Sequence, residues 1–571
     1  MNKLIKRRTL LTSTVLSEHP LLNRIYQSRG VTSTKELELT LQGLHHPGLL
    51  ADIEQAVDLL VQSYYAQSNI TVVGDFDADG ATSTALAILA LRQFGFKHIE
   101  YLIPDRFSQG YGLSVEIARE VIDKGTEVVL TVDNGVSSFE GIELLKSHGI
   151  KVLVTDHHLP SDRLPNADAI VNPNLPNCTF PSKSLAGVGV IFYVMMALRA
   201  KLRTENAFPQ KEPNIAELLD LVALGTVADV VPLDYNNRIL VNQGLNRIRA
   251  GVCRVGIRAL AEVSKRELSA LQASDLGFAI APRLNAAGRL ENMSLGVELL
   301  ICEEAERARQ LALELDSLNQ TRKEFEQEMK AEALAICAKL PQLTRQEQAH
   351  GIVLYQPDWH QGIIGILASR IKDQFYRPAV IFAQESEESE YLKGSARSVF
   401  GLHMRDLLER IDTYQPDVIV KFGGHAMAAG LTIHQDNFTK FQRLFDEIIN
   451  EFIDLEELQS VIYTDGELQA DEFNLQTAEL LKQAGPWGHN FAEPVFEGDF
   501  RIIQQRLLAG KHLKMLVENN QGMLLDAICF NIDVRKYPDL SIKQAKLVYK
   551  LDINEFKGNR RLQLFIEHIS A

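Results

Sequence analysis

Short apolar runs rich in Val and Ile recur from about residue 70 to residue 171, at 70–74, 99–103, 128–132, 151–155 and 169–171. Between them lie stretches with helical spacing, over 81–90, near 114–124 and near 138–148. Near-continuous apolar strands that alternate with helices predict an α/β fold with a mostly parallel sheet covered on both faces. A long helical pattern follows from about Glu303 to Leu340, where Ala308, Leu311, Leu315, Leu318, Phe325, Met329 and Ile336 mark one face. Without Gly or Pro it makes a rod of roughly 50 Å, long enough to join two lobes. After Pro341 come a second α/β pattern, with strands at 351–355 and 378–382 around a helix at 362–375, and a loop at Gly423-Gly424-His425. From about residue 460 short strands at 512–517, 546–551 and 562–566 are separated by turns and charges, as in a small β-barrel.

The 571 residues are too many for one core. The expected organisation is an extension over 1–50, a catalytic α/β domain over 51–300, a connecting helix over 301–345, a second α/β domain over 346–454 and the barrel over 455–571. Hydrophobic and charged contents of 46% and 23% are those of a soluble globular protein. No apolar stretch has the length of a membrane span, and the basic N-terminus lacks a secretory core, so a cytoplasmic protein is expected. Five widely spaced cysteines without a C-x-x-C pair indicate reduced thiols rather than disulfides or a zinc knuckle. A net charge of −15 argues against non-specific coating of nucleic acid but permits a groove lined locally by arginine.

The candidate chemistry sits where the apolar runs end. Asp75, Asp77 and Asp79 follow the first in G-D-F-D-A-D-G, Asp133 follows the third, Asp156-His157-His158 follow the fourth, and Asp229 closes the run L-V-A-L-G-T-V-A-D. Each reads as a strand end, and carboxylates at strand ends of an open α/β sheet converge on one crevice. A single D-x-D is more often a cap or a surface feature, and a single histidine in such a loop is more often structural. Four clusters together are not explained that way. In an extended segment Asp75, Asp77 and Asp79 would share a face, with Asp79 also able to cap a helix starting near Ala81. So many like charges require cations. Oxygen ligands with one or two imidazoles and no cysteine suit Mn²⁺ or Mg²⁺ better than zinc, and a two-ion site of this kind hydrolyses phosphate esters.

D-F-D-A-D-G, V-D-N-G, T-D-H-H and G-T-V-A-D-V-V-P-L resemble the four motifs of the DHH phosphoesterase superfamily. A-P-R-L-N-A-A-G-R (281–289), G-S-A-R-S (394–398) and K-F-G-G-H-A-M-A-A-G (421–430) are similar to further motifs of its single-strand-specific 5′→3′ DNA exonuclease branch. The resemblance covers about residues 40 to 571 and implies a DHH domain, a substrate-binding DHHA1 domain and a C-terminal OB-fold. It implies that Asp77, Asp79, Asp133, His157 and Asp229 hold two ions, with Asp133 the bridge, Asp75 and Asp156 beside them, and His158 on the scissile phosphate. It also implies substrate contacts from Arg106, Tyr111, Arg283, Asn285, Arg289, Ser395, Arg397, Gly423, Gly424 and His425, with Arg106, Ser395 and Arg397 gripping a 5′-phosphate. Guanidinium forks suit phosphate oxygens, and an aromatic such as Tyr111 can stack on a base. In the barrel, Lys511, Lys514, Arg560 and Arg561 are expected to supply charge and Trp487, Phe491 or Phe496 to supply stacking.

The implied function is release of mononucleotides from single-stranded DNA in repair and recombination. The expected enzyme is a monomer with single-strand-binding protein and a RecQ-like helicase as partners and no membrane association. The alternatives are another DHH phosphodiesterase, such as an oligoribonuclease or a cyclic dinucleotide hydrolase, and a non-catalytic Cdc45-like replication scaffold.

Overall fold

The computed structural model describes residues 3–208, 211–339, 350–386, 388–453, 459–534, 536–556 and 558–570. The expected helix end at Leu340, the proline at 341 and the boundaries near 345 and 455 lie outside these residues. The chain divides into two compact units. One comprises Arg7–Ser317 with Tyr463–Ala571, the other Leu318–Ile462 with Met1–Lys6. A strand near the N-terminus, β1 (Leu4–Arg7), pairs with β12 (Val461–Thr464).

In the first unit, α1 (Pro20–Ser28) and α2 (Ile53–Ala66) precede a five-stranded sheet. Its elements are β2 (Ile70–Val73), α3 (Ala78–Phe94), β3 (Ile99–Leu102), α4 (Val115–Asp123), β4 (Val128–Val132), α5 (Phe139–Ser147), β5 (Lys151–Thr155) and β6 (Ala169–Val171). The strand order is β3-β2-β4-β5-β6, and every pair is parallel. β2 and β4 are buried along their whole length, which is why they read as unbroken apolar runs. Strand order reverses beside β2, so the crevice of such a sheet opens between the carboxyl ends of β2 and β4. α3 packs against α6 (Gly187–Thr204) and α7 (Leu219–Ala228), and α8 (Tyr235–Arg249) follows. A π-turn, Leu276–Ile280, leads into the helix Ala281–Leu290.

Asp229 is not at a strand end. The run L-V-A-L-G-T-V-A belongs to α7, and Asp229 is its C-cap. A helix buried all round has no polar face, so its sequence cannot be told from a buried strand by periodicity.

The connecting helix is continuous over Ala305–Cys337. Ala308, Leu311, Leu315, Met329 and Cys337 are buried, whereas Phe325 is 38% exposed and stacks on His360. In the second unit the sheet order is β10-β11-β9-β8-β7, from β7 (Ile352–Tyr355), β8 (Ala379–Gln384), β9 (Tyr391–Arg397), β10 (Lys421–Gly424) and β11 (Ala428–His434). Only β7 and β8 run parallel. A core of Phe382, Leu392, Phe441 and Phe445 joins this sheet to the helices Met404–Tyr414 and Phe438–Phe452. Gly423 and Gly424 end a strand rather than forming a loop, because β10 pairs with β11 through that glycine pair.

The C-terminal residues form a closed barrel, β13-β14-β15-β17-β16, from β13 (Phe496–Leu508), β14 (His512–Glu518), β15 (Leu524–Cys529), β16 (Gln544–Phe556) and β17 (Asn559–Ser570). It is the five-stranded architecture of an OB-fold. Phe491 and Phe496 are buried at 3% and 0% exposure and are core, and the half-buried Trp487 stacks on Phe491 at 5.1 Å, so that face of its ring is already covered. Lys514 and Arg560 are ion-paired with Asp526 and Glu479.

Candidate metal centre

The loop after β2 turns from strand to helix within the D-F-D-A-D-G segment. Asp77 is the N-cap of α3, its Oδ1 accepting from the Gly80 N–H at 3.0 Å, so the cap falls two residues before Asp79. Asp79 lies inside the first turn of α3 and accepts from the N–H groups of Gly187 (2.7 Å) and Val188 (3.0 Å). Those two amides open α6, and the positive end of a helix dipole favours a carboxylate there. Asp75 accepts from its neighbour, Phe76 N–H, at 2.7 Å. The three aspartates therefore do not share one extended face. Asp75 and Asp77 group with Asp133, while Asp79 groups with His157 and Asp229; a third group joins Asp133, His157 and His158. Within each group the ligand atoms lie within 4.8 Å of one another.

Glycines make this convergence sterically feasible. A Cβ on Gly187 would stand 2.5 Å from the Asp133 Cβ, and one on Gly225 would stand 2.8 Å from Asp79 Oδ1. One on Gly288, in the helix Ala281–Leu290, would fall 1.8 Å from the Phe76 carbonyl oxygen. From the same helix Asn285 accepts the Ala78 N–H at 2.8 Å, so the A-P-R-L-N-A-A-G-R motif holds the acidic loop in place. Asp133 has φ 61, a left-handed conformation uncommon for a residue other than glycine and characteristic of functional sites. The Asn134 amide donates to the carbonyls of Val73 (3.0 Å) and Val132 (2.9 Å), tying the ends of β2 and β4 together.

His157 Nε2 faces Asp133 Oδ1 at 3.1 Å, Asp229 Oδ2 at 3.4 Å and Asp79 Oδ2 at 4.0 Å. Both His157 Nε2 and Asp133 Oδ1 are buried without a hydrogen-bond partner. Adjacent ligands of an octahedral ion bound at about 2.1 Å stand roughly 3 Å apart, so the two orphaned atoms have the spacing a divalent cation requires. Burial, reinforced by mutual repulsion, pushes the carboxyls of Asp79 and Asp229 up to about 7 and raises those of Asp75 and Asp133 well above the usual range. Burial lowers His157. A cluster that resists ionisation on its own yet offers oxygen and imidazole donors fits a divalent ion, and Asp75, Asp77, Asp79, Asp133, His157 and Asp229 are the donors within reach.

Asp156 has a different surrounding. Its carboxylate accepts from the N–H groups of Val136 (2.9 Å), His157 (2.7 Å) and His158 (3.1 Å) and from His158 Nδ1 (2.7 Å). Although burial alone would raise it, these partners hold its pKa below the usual value. In return, and against the effect of burial, Asp156 drives His158 up to about 9, so His158 is a cation at neutral pH. Asn172 and Asn174 fix the carbonyls of His158 (2.8 Å) and His157 (2.6 Å); neither asparagine lies in a recognisable motif.

Among the expected substrate residues, Arg106 lies over the Phe76 ring at 4.1 Å, within the field of Asp75 and Asp77. Tyr111 is 47% exposed, and its hydroxyl donates to the Asp133 carbonyl at 3.2 Å. Arg283 is paired with Asp316 at 2.7 Å, and Arg289 is half-buried. Ser395, Arg397, Gly423, Gly424 and His425 belong to the other unit. There Arg397 donates to Ser395 Oγ at 3.1 Å, and a Cβ on Gly365 would stand 3.0 Å from both side chains. Ser395 and Gly423 both register with Gly430 on β11. Gly423 has open space where a Cβ would lie, while Gly424, at φ 143, would bring one within 2.5 Å of the Ala428 carbonyl oxygen.

A parallel α/β domain with a carboxylate–imidazole cluster at its topological switch point, a second α/β domain and an OB barrel together define a metal-dependent DHH-type phosphoesterase. Residues 69–226 match the DHH family N-terminal domain, 348–451 the DHHA1 domain and 464–568 the RecJ OB domain. The chain belongs to the RecJ family. It is 61% identical to the single-stranded-DNA-specific exonuclease RecJ of Haemophilus influenzae over 100% of this chain and 99% of that one. Against the RecJ of Escherichia coli it is 55% identical over 96% of each. The crystal structure of Thermus thermophilus RecJ in complex with Mn²⁺ superposes with TM-score 0.80 at 27% identity, covering 99% of this chain and 80% of that one. The same protein has also been crystallised with Mg²⁺.

Proposed function

We propose that this chain is a metal-dependent exonuclease that removes mononucleotides from the 5′ end of single-stranded DNA. The observation that carries the reading is the pair of orphaned buried atoms, Asp133 Oδ1 and His157 Nε2, facing each other at 3.1 Å amid further carboxylates. Asp77, Asp79, Asp133, His157 and Asp229 are assigned to two divalent ions, Mn²⁺ or Mg²⁺. Asp133 and His157 each belong to two of the three ligand groups, and of these Asp133 would be the bridge, because a carboxylate has two oxygens to offer and an imidazole nitrogen only one lone pair. Bound there, such ions supply a deprotonated water for attack on phosphorus and neutralise charge on the leaving oxygen. The protein's own groups do the rest. His158, kept protonated by Asp156, presents a cation to the scissile phosphate. Asp79, clamped by the α6 amides, keeps its orientation whether or not it carries a proton.

Arg106 is assigned to phosphate oxygens in the first unit; within the second unit, taken by itself, Ser395, Arg397, Gly424 and His425 are assigned to phosphate oxygens, with Gly423 giving close backbone approach. A guanidinium grip on the terminal phosphate fixes which bond is cut, and so sets polarity. Tyr111 offers its exposed ring to a base. Asn285 and Arg289 are assigned to the DNA backbone; Arg283 would join them only on leaving Asp316. By the same reading the enzyme is a cytoplasmic monomer of repair and recombination, with single-strand-binding protein and a RecQ-like helicase as partners. No helix among the described residues is long and apolar enough to cross a membrane.

The test is incubation of 5′- and 3′-labelled single and double strands with Mn²⁺, with and without chelator. The 5′ label should be lost first, from single strands only, and Asp133→Ala should abolish release. Loss of the 3′ label first, equal attack on duplex, or activity in the chelator would overturn the reading.

A further inference from the structure

Among the carboxylates that face His157, Asp229 is the most exposed. Its side chain is 27% exposed, against 0% for Asp79 and 3% for Asp133. Asp79 is fixed by two amides, whereas Asp229 depends on where its backbone goes after α7 ends. The next residue, Val230, has φ 58 although it is β-branched, a conformation that persists only when surroundings enforce it.

The enforcement comes from a segment some 260 residues along the chain, just before the barrel. His489 Nδ1 stands 2.7 Å from the Val230 carbonyl oxygen, which can only accept, so the imidazole donates. The Leu233 N–H donates to the His489 carbonyl at 2.8 Å, so the two hydrogen bonds bracket the loop after Asp229. His489 itself is presented by a tight turn closed by Gly488 and Phe491. That turn is anchored in several ways. Trp487 Nε1–H donates to the Leu481 carbonyl at 2.8 Å, and its ring stacks on Phe491 and Tyr26. The Arg238 guanidinium of α8 lies over Phe491 at 4.2 Å.

We infer that His489 is a positioning residue for the metal centre, acting through the Val230 carbonyl to hold the Asp229 carboxylate among the ligands. The inference rests on the assignment of Asp229 as a ligand made above. It gives the chain just ahead of the barrel a task at the cluster, separate from any contact with DNA. Outer partners of metal ligands typically govern affinity by roughly 10- to 100-fold.

The test uses the full-length protein and three substitutions. His489→Phe keeps a ring but loses the donor, His489→Gln keeps a donor, and Asp229→Asn is the reference. Free Mn²⁺ is measured by electron paramagnetic resonance during titration, and affinity for a labelled oligothymidylate is measured by anisotropy in chelator. Expected is a Mn²⁺ affinity about tenfold weaker in His489→Phe, recovered at least in part in His489→Gln, with oligonucleotide affinity and melting temperature unchanged in both. Unchanged Mn²⁺ affinity in His489→Phe overturns the inference, as does a loss confined to oligonucleotide binding, which would make His489 a DNA contact. Should Asp229→Asn bind Mn²⁺ normally, the assignment of Asp229 as a ligand fails instead, and the two failures are thereby told apart.

Discussion

At the level of single residues, the acidic cluster is a proton store when it holds no cation. Asp79 and Asp229 are raised to about 7 from an ordinary 3.8, so in the folded, ion-free protein they keep protons that the unfolded chain has already released. The sign follows by linkage: their contribution to stability is complete below about pH 4 and is lost as pH rises through about 7. A divalent cation must displace those protons, so its binding strengthens over the same interval. The melting-temperature increase on adding Mn²⁺ should therefore be larger at pH 8 than at pH 6, and binding at pH 6 should release protons, measurable by calorimetry in buffers of different ionisation enthalpy. Equal increases at both pH values would contradict the raised carboxyls.

At the level of elements, the site is an encounter between strand ends and helix starts, and the two differ in how plainly the sequence shows them. The ends of β2, β4 and β5 were legible because each strand is a short run rich in Val, Ile and Leu, with an aspartate one or two positions after its last residue. α7 was not, since burial on every side erased the polar face that marks a helix. The cap of α3 falls on Asp77 and not Asp79, because the helix starts at Ala78 rather than near Ala81, which leaves Asp79 inside the first turn with its carboxylate on the α6 amides. Gly187 lies in no motif, and although Gly225 opens G-T-V-A-D-V-V-P-L, the value of either glycine appears only when α6 and α7 are seen against the acids. Gly187→Ala should accordingly push Asp133 out of place. We expect destabilisation of about 1–3 kcal/mol, as for overpacking elsewhere, and a larger loss of Mn²⁺ affinity than that figure alone would suggest. Chemical denaturation with and without Mn²⁺ would separate the two effects.

At the level of the whole molecule, the three family domains and their order could be read from sequence patterns and motifs, whereas the use of barrel-adjacent aromatics could not. Trp487, Phe491 and Phe496 have the composition of a nucleic-acid platform, but a buried seam uses the same residues: here Tyr26 of α1 meets Trp487 and Phe491, Arg238 of α8 lies over Phe491, and Phe496 packs on Tyr549. The N-terminal segment is fastened to the barrel side by Arg29, which forms a two-pronged pair with Asp465 and also donates to the Ala492 carbonyl. Both charged side chains are 1% exposed. Removing one partner strands the other charge away from water, so Arg29→Ala should destabilise the first unit by about 3–5 kcal/mol. A double substitution to apolar residues of similar volume should recover much of that, and thermal melts of the single and double variants would decide it.

That pair joins positions 436 apart in the chain. A ribosome delivers Arg29 well before Asp465, so α1 must wait, its apolar face without its final neighbour, while everything between is made. An arm made before the parallel sheet is seated only after it.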